Sequence, residues 1–184
     1  MALVESTNIK IGNKMPEISL KDPSEKLFTS KSLRGPNGLL VVFTCNHCPY
    51  AKAIWPRLIN LSRSAKSMGI YTVAINPNIN PNYPEDSPEN MTKFIRESRV
   101  PFPYLVDDTQ QTARSYNAQC TPDIYLLDHN ETLVYHGRFD DNWKESEKVT
   151  SQDLKLALEN LALGKPALQH QFPSMGCSIK WNET

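Results

Sequence analysis

The sequence predicts a single α/β domain built on a mixed central sheet flanked by helices. Three observations lead there. Apolar runs of strand length alternate with amphipathic helical stretches, as in sheets whose parallel strands are joined by helical crossovers. The last two strand-like runs face each other across a short turn, which makes the sheet mixed. The chain has 184 residues, enough for one sizeable core and short for two. Residues 10–38 read as an N-terminal hairpin extension, 39–163 as the core and 164–184 as a C-terminal tail.

The elements follow in order. Gly12 and Pro16 begin a turn-rich region, EISLKD at 17–22 alternates, residues 27–33 form a second short strand, and GPNG at 35–38 closes it. Residues 39–44 (LLVVFT) are an unbroken apolar run, as expected of a strand covered on both faces. A helix follows from Pro49 to about Met68, with Ala51, Ile54, Trp55, Leu58, Ile59 and Leu61 on one face, a kink at Pro56 and a stop at Gly69. IYTVAI at 70–75 is a second buried strand, and the loop NPNINPNYPEDSP at 76–88 is neither strand nor helix. Ser87 caps a helix that has Pro88 at its first position and runs to about Ser98. Residues 103–106 are a short strand, and Asp108 or Thr109 starts a helix ended by a left-handed Asn117. Residues 123–127 and 132–136 pair across DHNE, and 151–163 form a last helix stopped by Gly164 and Pro166. The tail shows little regular signal beyond an apolar end at Phe172, Met175, Ile179 and Trp181.

Composition excludes several classes of function. Lys plus Arg and Asp plus Glu both count 20, so the net charge is zero and there is no electrostatic footprint for nucleic acid. No apolar stretch reaches membrane-spanning length, and the first residues lack a signal-peptide pattern, so the expected compartment is the cytosol. There the four cysteines, Cys45, Cys48, Cys120 and Cys177, are expected to be catalytic, redox-sensing or metal-binding rather than a disulfide scaffold.

VVFTCNHCPY at 41–50 carries the chemistry. A buried strand ends and a helix begins at Cys48-Pro49. Proline favours the first helical position, which places Cys48 at the N-cap. There the free amides of the first turn and the helix dipole favour thiolate over thiol. His47 adds a cation beside it. Cys45, three residues earlier, is the nearest thiol able to resolve a mixed disulfide formed on Cys48. Two other readings stand beside this one. The cysteines are packing residues at a strand end, or Cys45, His47 and Cys48 join Cys177 or Cys120 around zinc, although no second CxxC or HxxxH completes such a pattern. Further along, Cys120-Thr121-Pro122-Asp123 precedes a strand, where a proline marks an edge or a cis turn.

These segments, with YPEDSPENM, DHNETLVYHGR, FDDNW and PSMGCSIKW, resemble the thioredoxin superfamily, specifically its peroxiredoxin-like AhpC/TSA-type members, over residues 10–182. The resemblance implies a thioredoxin-like fold with a cis Pro122 bordering the reactive thiol. Family spacing places a strand phenylalanine five residues before the nucleophile and a helix proline eight after it. Phe43 and Pro56 then select Cys48, in a Cys48-Pro49-Tyr50-Ala51 motif similar to a monothiol variant of CPYC. In that register Ala51 stands at both the usual resolving and the peroxidatic positions, Cys48 at the peroxiredoxin threonine and Val42 at the buried thioredoxin aspartate. The chain departs from those patterns there, and the CGPC dipeptide is absent.

The leading expectation is a thiol–disulfide oxidoreductase without metal or organic cofactor, acting on protein or small-molecule disulfides with an unidentified thiol electron donor. Cys48 is its nucleophile, Cys45 resolves, His47 tunes the thiolate, and Thr121, Pro122, Pro49 and Tyr50 position the substrate. Thiol-dependent peroxidase activity and a non-catalytic redox sensor or binding module are the alternatives, and homodimerisation is left open. Cys120 reads as a packing residue or an extra thiol near Cys48. Cys177 reads as a packed tail residue or a second resolving thiol. His129, His136 and His170 read as surface or hairpin residues, Asp140 and Asp141 as a solvated turn, and Trp55 and Trp143 as core or site wall.

Overall fold

The computed structural model describes residues 3–182. In chain order the elements are β1 (Leu3–Glu5), β2 (Ser19–Lys21), β3 (Leu27–Thr29), α1 (Ser30–Leu33), β4 (Gly38–Phe43), α2 (Pro49–Ser67) and β5 (Ile70–Asn76). They continue with a 3-10 turn at Pro84–Asp86, α3 (Pro88–Ser98), β6 (Tyr104–Val106), α4 (Gln111–Ser115), β7 (Cys120–Thr121), β8 (Asp123–Asp128) and β9 (Leu133–His136). A second 3-10 turn at Ser146–Lys148, α5 (Asp153–Ala162) and β10 (Met175–Ser178) complete the chain.

β4 lies inside a seven-stranded sheet ordered β3-β2-β6-β5-β4-β8-β9. It pairs parallel with β5 and antiparallel with β8, and β5 pairs parallel with β6. The unbroken apolar run has a direct cause. Leu40 and Val42 pack on one face against Ile54, Trp55 and Leu58 of α2 and Leu154 and Leu158 of α5. Leu39, Val41 and Phe43 pack on the other against Tyr116, Tyr125, Met15 and Ile18. Every β4 residue is buried, and each fully buried aliphatic side chain contributes about 1.5–3 kcal/mol.

Local signals fix several boundaries. Cys48 is the N-cap of α2 with Pro49 at the first position, and the helix runs through Pro56 to Ser67, with Gly69 just beyond its cap at φ +74°. Ser87 caps α3, its hydroxyl accepting from the Asn90 amide at 3.3 Å. Asn117 takes the left-handed conformation after α4. That helix starts later than the sequence suggests, because the buried Asp107 carboxylate accepts from the Thr112 and Ala113 amides at 3.3 and 2.8 Å. Residues 27–33 divide into a strand and one helical turn, and the loop at 76–88 contains a 3-10 turn.

The tail differs most from expectation. It is not irregular: β10 pairs antiparallel with β1 on one side and β7 on the other, forming a second, three-stranded sheet. Among the described residues, no helix is long and apolar enough to cross a membrane.

Candidate active site

Residues 44–48 leave the end of β4 and are tied down on several sides. The Trp55 indole donates to the Cys45 carbonyl at 3.3 Å. The Asn46 amide donates to Asp86 at 2.5 Å, its side chain donates to the Glu85 carbonyl at 2.9 Å, and the Tyr104 hydroxyl donates to it at 3.2 Å. His47 hydrogen-bonds through Nδ1 to the fully buried Asp86 and stacks on Tyr83 with ring centroids 4.4 Å apart. Asp86 also accepts from the Asn76 side chain at 3.2 Å. The 3-10 turn therefore buttresses the cysteine loop.

Cys45, Cys48, Ala51 and Cys177 form one buried cluster against Tyr50. The Cys48 thiol donates to the Thr121 carbonyl at 3.1 Å, and Cys45 Sγ lies 3.3 Å from the Thr121 hydroxyl. The Thr121–Pro122 bond is cis, so the cysteine loop and the Pro122 strand start meet at Cys48. All four cysteines are free thiols and buried.

The environment lowers the Cys48 pKa from 9.0 to about 4. A hydrogen bond from Cys45 is the largest cause. Burial opposes it, and Cys177 and the Ala51 amide add to it. The N-cap reasoning needs correction here. Cys48 occupies the cap, but its side chain makes no capping hydrogen bond. The Ala51 amide acts at longer range, and a neighbouring thiol contributes more. The Thr121 carbonyl contact belongs to the protonated thiol, whereas thiol and amide donors hold the thiolate, and these donors outweigh burial. Burial drives the Cys45 thiol well above its usual range, with its bond to Cys48 and the charge of Asp86 adding. Burial likewise raises Cys177, to about 12, with Cys48 adding and Lys180 opposing.

The other expected site residues fall as follows. His47 turns to Asp86 and is not among the largest influences on the Cys48 pKa. Pro49 is exposed, and Tyr50 packs on Trp143 with centroids 4.1 Å apart. Arg57 holds the Trp143 stretch by pairing with Asp140 and donating to the Trp143 carbonyl at 2.7 Å, so Asp140 is a buried ion-pair partner rather than a solvated turn. Cys120 donates to the Pro122 carbonyl at 3.4 Å, and burial raises its pKa strongly. His136 is buried, not superficial: its Nε2 meets Asp123 at 2.9 Å and its ring stacks on Tyr125. The zinc grouping drawn from the sequence is not found as a set among the described residues, where the third group beside Cys45 and His47 is Asp86. Cys45, His47 and Asp86 do bring three ligand atoms within 4.8 Å of one another, a thiol, imidazole and carboxylate set of the kind that divalent metals accept.

Asp86, Tyr83 and Lys180 were not legible as site residues. Asp86 sits in a proline- and asparagine-rich loop with no spacing relation to either cysteine, and only the fold brings it to His47.

Comparison with known proteins agrees with this architecture. The AhpC/TSA family model matches residues 11–136. The crystal structure of an uncharacterized conserved protein from Geobacillus kaustophilus is 38% identical, covering 100% of this chain and 98% of that one with a TM-score of 0.94. A hypothetical protein from Sinorhizobium meliloti 1021 is 35% identical over 98% of this chain and 99% of that one, with a TM-score of 0.92. The thiol-disulfide oxidoreductase ResA of Bacillus subtilis (strain 168) is 25% identical over 127 residues, which are 69% of this chain and 66% of that protein, just under two thirds of its length.

Proposed function

This chain belongs to the AhpC/TSA family of the thioredoxin superfamily, and on that premise we propose that it is a thiol–disulfide oxidoreductase whose nucleophile is Cys48. One observation carries the reading: Cys48 is the one cysteine whose surroundings lower its pKa, and it lies against Thr121 and the cis Pro122. The thiolate, not the thiol, attacks sulfur. Cys48 attacks one sulfur of a substrate disulfide, the other leaves as a thiolate, and a second protein thiol then displaces the bound half. Asp86 holds His47 and Asn46, which fixes the loop that presents Cys48. Tyr50 and Trp143 form an aromatic wall beside α2 where the substrate's apolar parts can rest. A reducing compartment, the cytosol, suits four free thiols.

The test is turnover of a small disulfide, hydroxyethyl disulfide, with dithiothreitol as donor. Cys48→Ser abolishes it. Full activity in that variant refutes the assignment, and no turnover by the wild type under any thiol donor supports a non-catalytic sensor instead.

A further inference from the structure

Cys48 shares a buried cluster with two thiols, and one of them comes from the far end of the chain. β10 runs antiparallel to β7, with Cys177 opposite Thr121 and Ser178 opposite Cys120. Gly176 permits the approach, since a Cβ there would stand 2.1 Å from the Thr121 carbonyl oxygen. The same carbonyl accepts from Cys48. The strand is pinned on both sides of Cys177. The Ser174 hydroxyl donates to the Gly137 carbonyl at 2.7 Å, the Ile179 amide to the Gln119 carbonyl at 3.0 Å, and the Lys180 amide to the Asn78 side chain at 2.8 Å. Gln110 accepts from the Asn182 amide at 2.8 Å, and Arg114 covers the Trp181 ring. A cysteine held this way is a built part of the site.

Resting on the reading of Cys48 as nucleophile, we propose that Cys177 is the second catalytic thiol, which closes a disulfide with Cys48 and releases the substrate. Cys48 thiolate attacks a disulfide RS–SR. The S–S bond breaks, one RS⁻ leaves with the electron pair and takes a proton, and a Cys48–SR mixed disulfide remains. Cys177, as thiolate, attacks Cys48 Sγ, expels the second RS⁻, and forms the Cys48–Cys177 bond. Two protein thiols are oxidised and one disulfide is reduced to two thiols. Two equivalents of a thiol reductant restore the pair.

Cys45 is the competing partner, and charge separates the two. Its ionisation is opposed by burial, by its bond to Cys48 and by the charge of Asp86, with the Thr121 hydroxyl favouring the thiolate, and burial and Asp86 remain when Cys48 is consumed. Cys177 is opposed by burial and then by Cys48 itself, while Lys180 favours its thiolate. Once Cys48 is in a mixed disulfide, its charge and its hydrogen bond vanish and Lys180 stays. That loss relieves Cys45 as well and burial persists for both, so the charge that separates them is Asp86 beside Cys45 against Lys180 beside Cys177.

The test treats the reduced full-length protein with one equivalent of oxidised glutathione and maps disulfides by peptide mass without reduction. The wild type and Cys45→Ala give a Cys48–Cys177 link. Cys177→Ser accumulates glutathione on Cys48 and forms no internal disulfide. A Cys45–Cys48 link in the wild type, or release of the second glutathione from Cys177→Ser at the wild-type rate, overturns this assignment while leaving Cys48 as nucleophile. A Cys48 that never carries glutathione, with no internal disulfide formed, overturns both. The wild-type map decides between partners even where a variant fails to fold.

Discussion

Lowering the pH separates an activated Cys48 from an ordinary buried thiol. With an ordinary pKa of 9.0, a thiol is ~1% ionised at pH 7 and ~0.01% at pH 5. With Cys48 at about 4, the sulfur is almost wholly thiolate at pH 7 and roughly 90% at pH 5. Intrinsic nucleophilicity falls as the pKa falls, with a Brønsted slope of about 0.4–0.5, so the same change costs roughly 100–300-fold per thiolate. At pH 7 gain and loss nearly cancel, and Cys48 reacts no faster than a free thiol. At pH 5 the ionisation gain of roughly 10⁴ leaves an advantage of ~40-fold. The assay is iodoacetamide alkylation, followed residue by residue by mass spectrometry from pH 3 to 9. Burial slows the reaction at every pH, so the profile rather than the absolute rate is read. The expected profile is flat above about pH 5 and falls as pH drops through the lowered pKa, because protonation removes the nucleophile. Cys45→Ala moves the inflection to higher pH, since Cys45 is the largest lowering influence. A rate that rises tenfold per pH unit between 6 and 8 refutes the reasoning.

Two further outcomes follow from the packing around the cluster. Asp86→Ala leaves the Asn46 backbone amide, the Asn76 side-chain Nδ2 and His47 Nδ1 without their buried acceptor. At about 1–3 kcal/mol per unsatisfied buried donor, urea unfolding shows a loss of about 3 kcal/mol or more, and a loss below ~1 kcal/mol contradicts the buttress role. Gly176→Ala drives a methyl into the Thr121 carbonyl and forces β10 away from β7. Stability falls by about 1–3 kcal/mol and alkylation of Cys48 at fixed pH accelerates, whereas an unchanged rate means that β10 does not cover the sulfur.

What the sequence disclosed was local. The buried run of β4, the proline that starts α2 and the Ser87–Pro88 cap each depend on residues a few positions apart, and each stands where it was expected. The tail strand had no such signal. MGCS at 175–178 neither alternates nor carries a β-branched residue, and its partners lie at residues 3–5 and 120–121. Its pairing comes from the close approach at Gly176, a tertiary fact. His136 and Asp123 illustrate the same limit, because each is unremarkable alone and the pair exists only once β8 and β9 meet.

The two candidate partners of Cys48 divide along this line. Cys45 is the partner that spacing offers, because it lies three residues away in the same loop. Cys177 is the partner that topology offers, carried on a strand whose hydrogen bonds are committed on both edges. A short spacing guarantees proximity but says nothing about charge. Here the nearer thiol sits beside a buried carboxylate that opposes its ionisation, and the distant one sits beside a lysine that favours it. Cys45 serves better as a hydrogen-bond donor than as an attacking group: as a thiol it stabilises the Cys48 thiolate, and as a thiolate it would repel it.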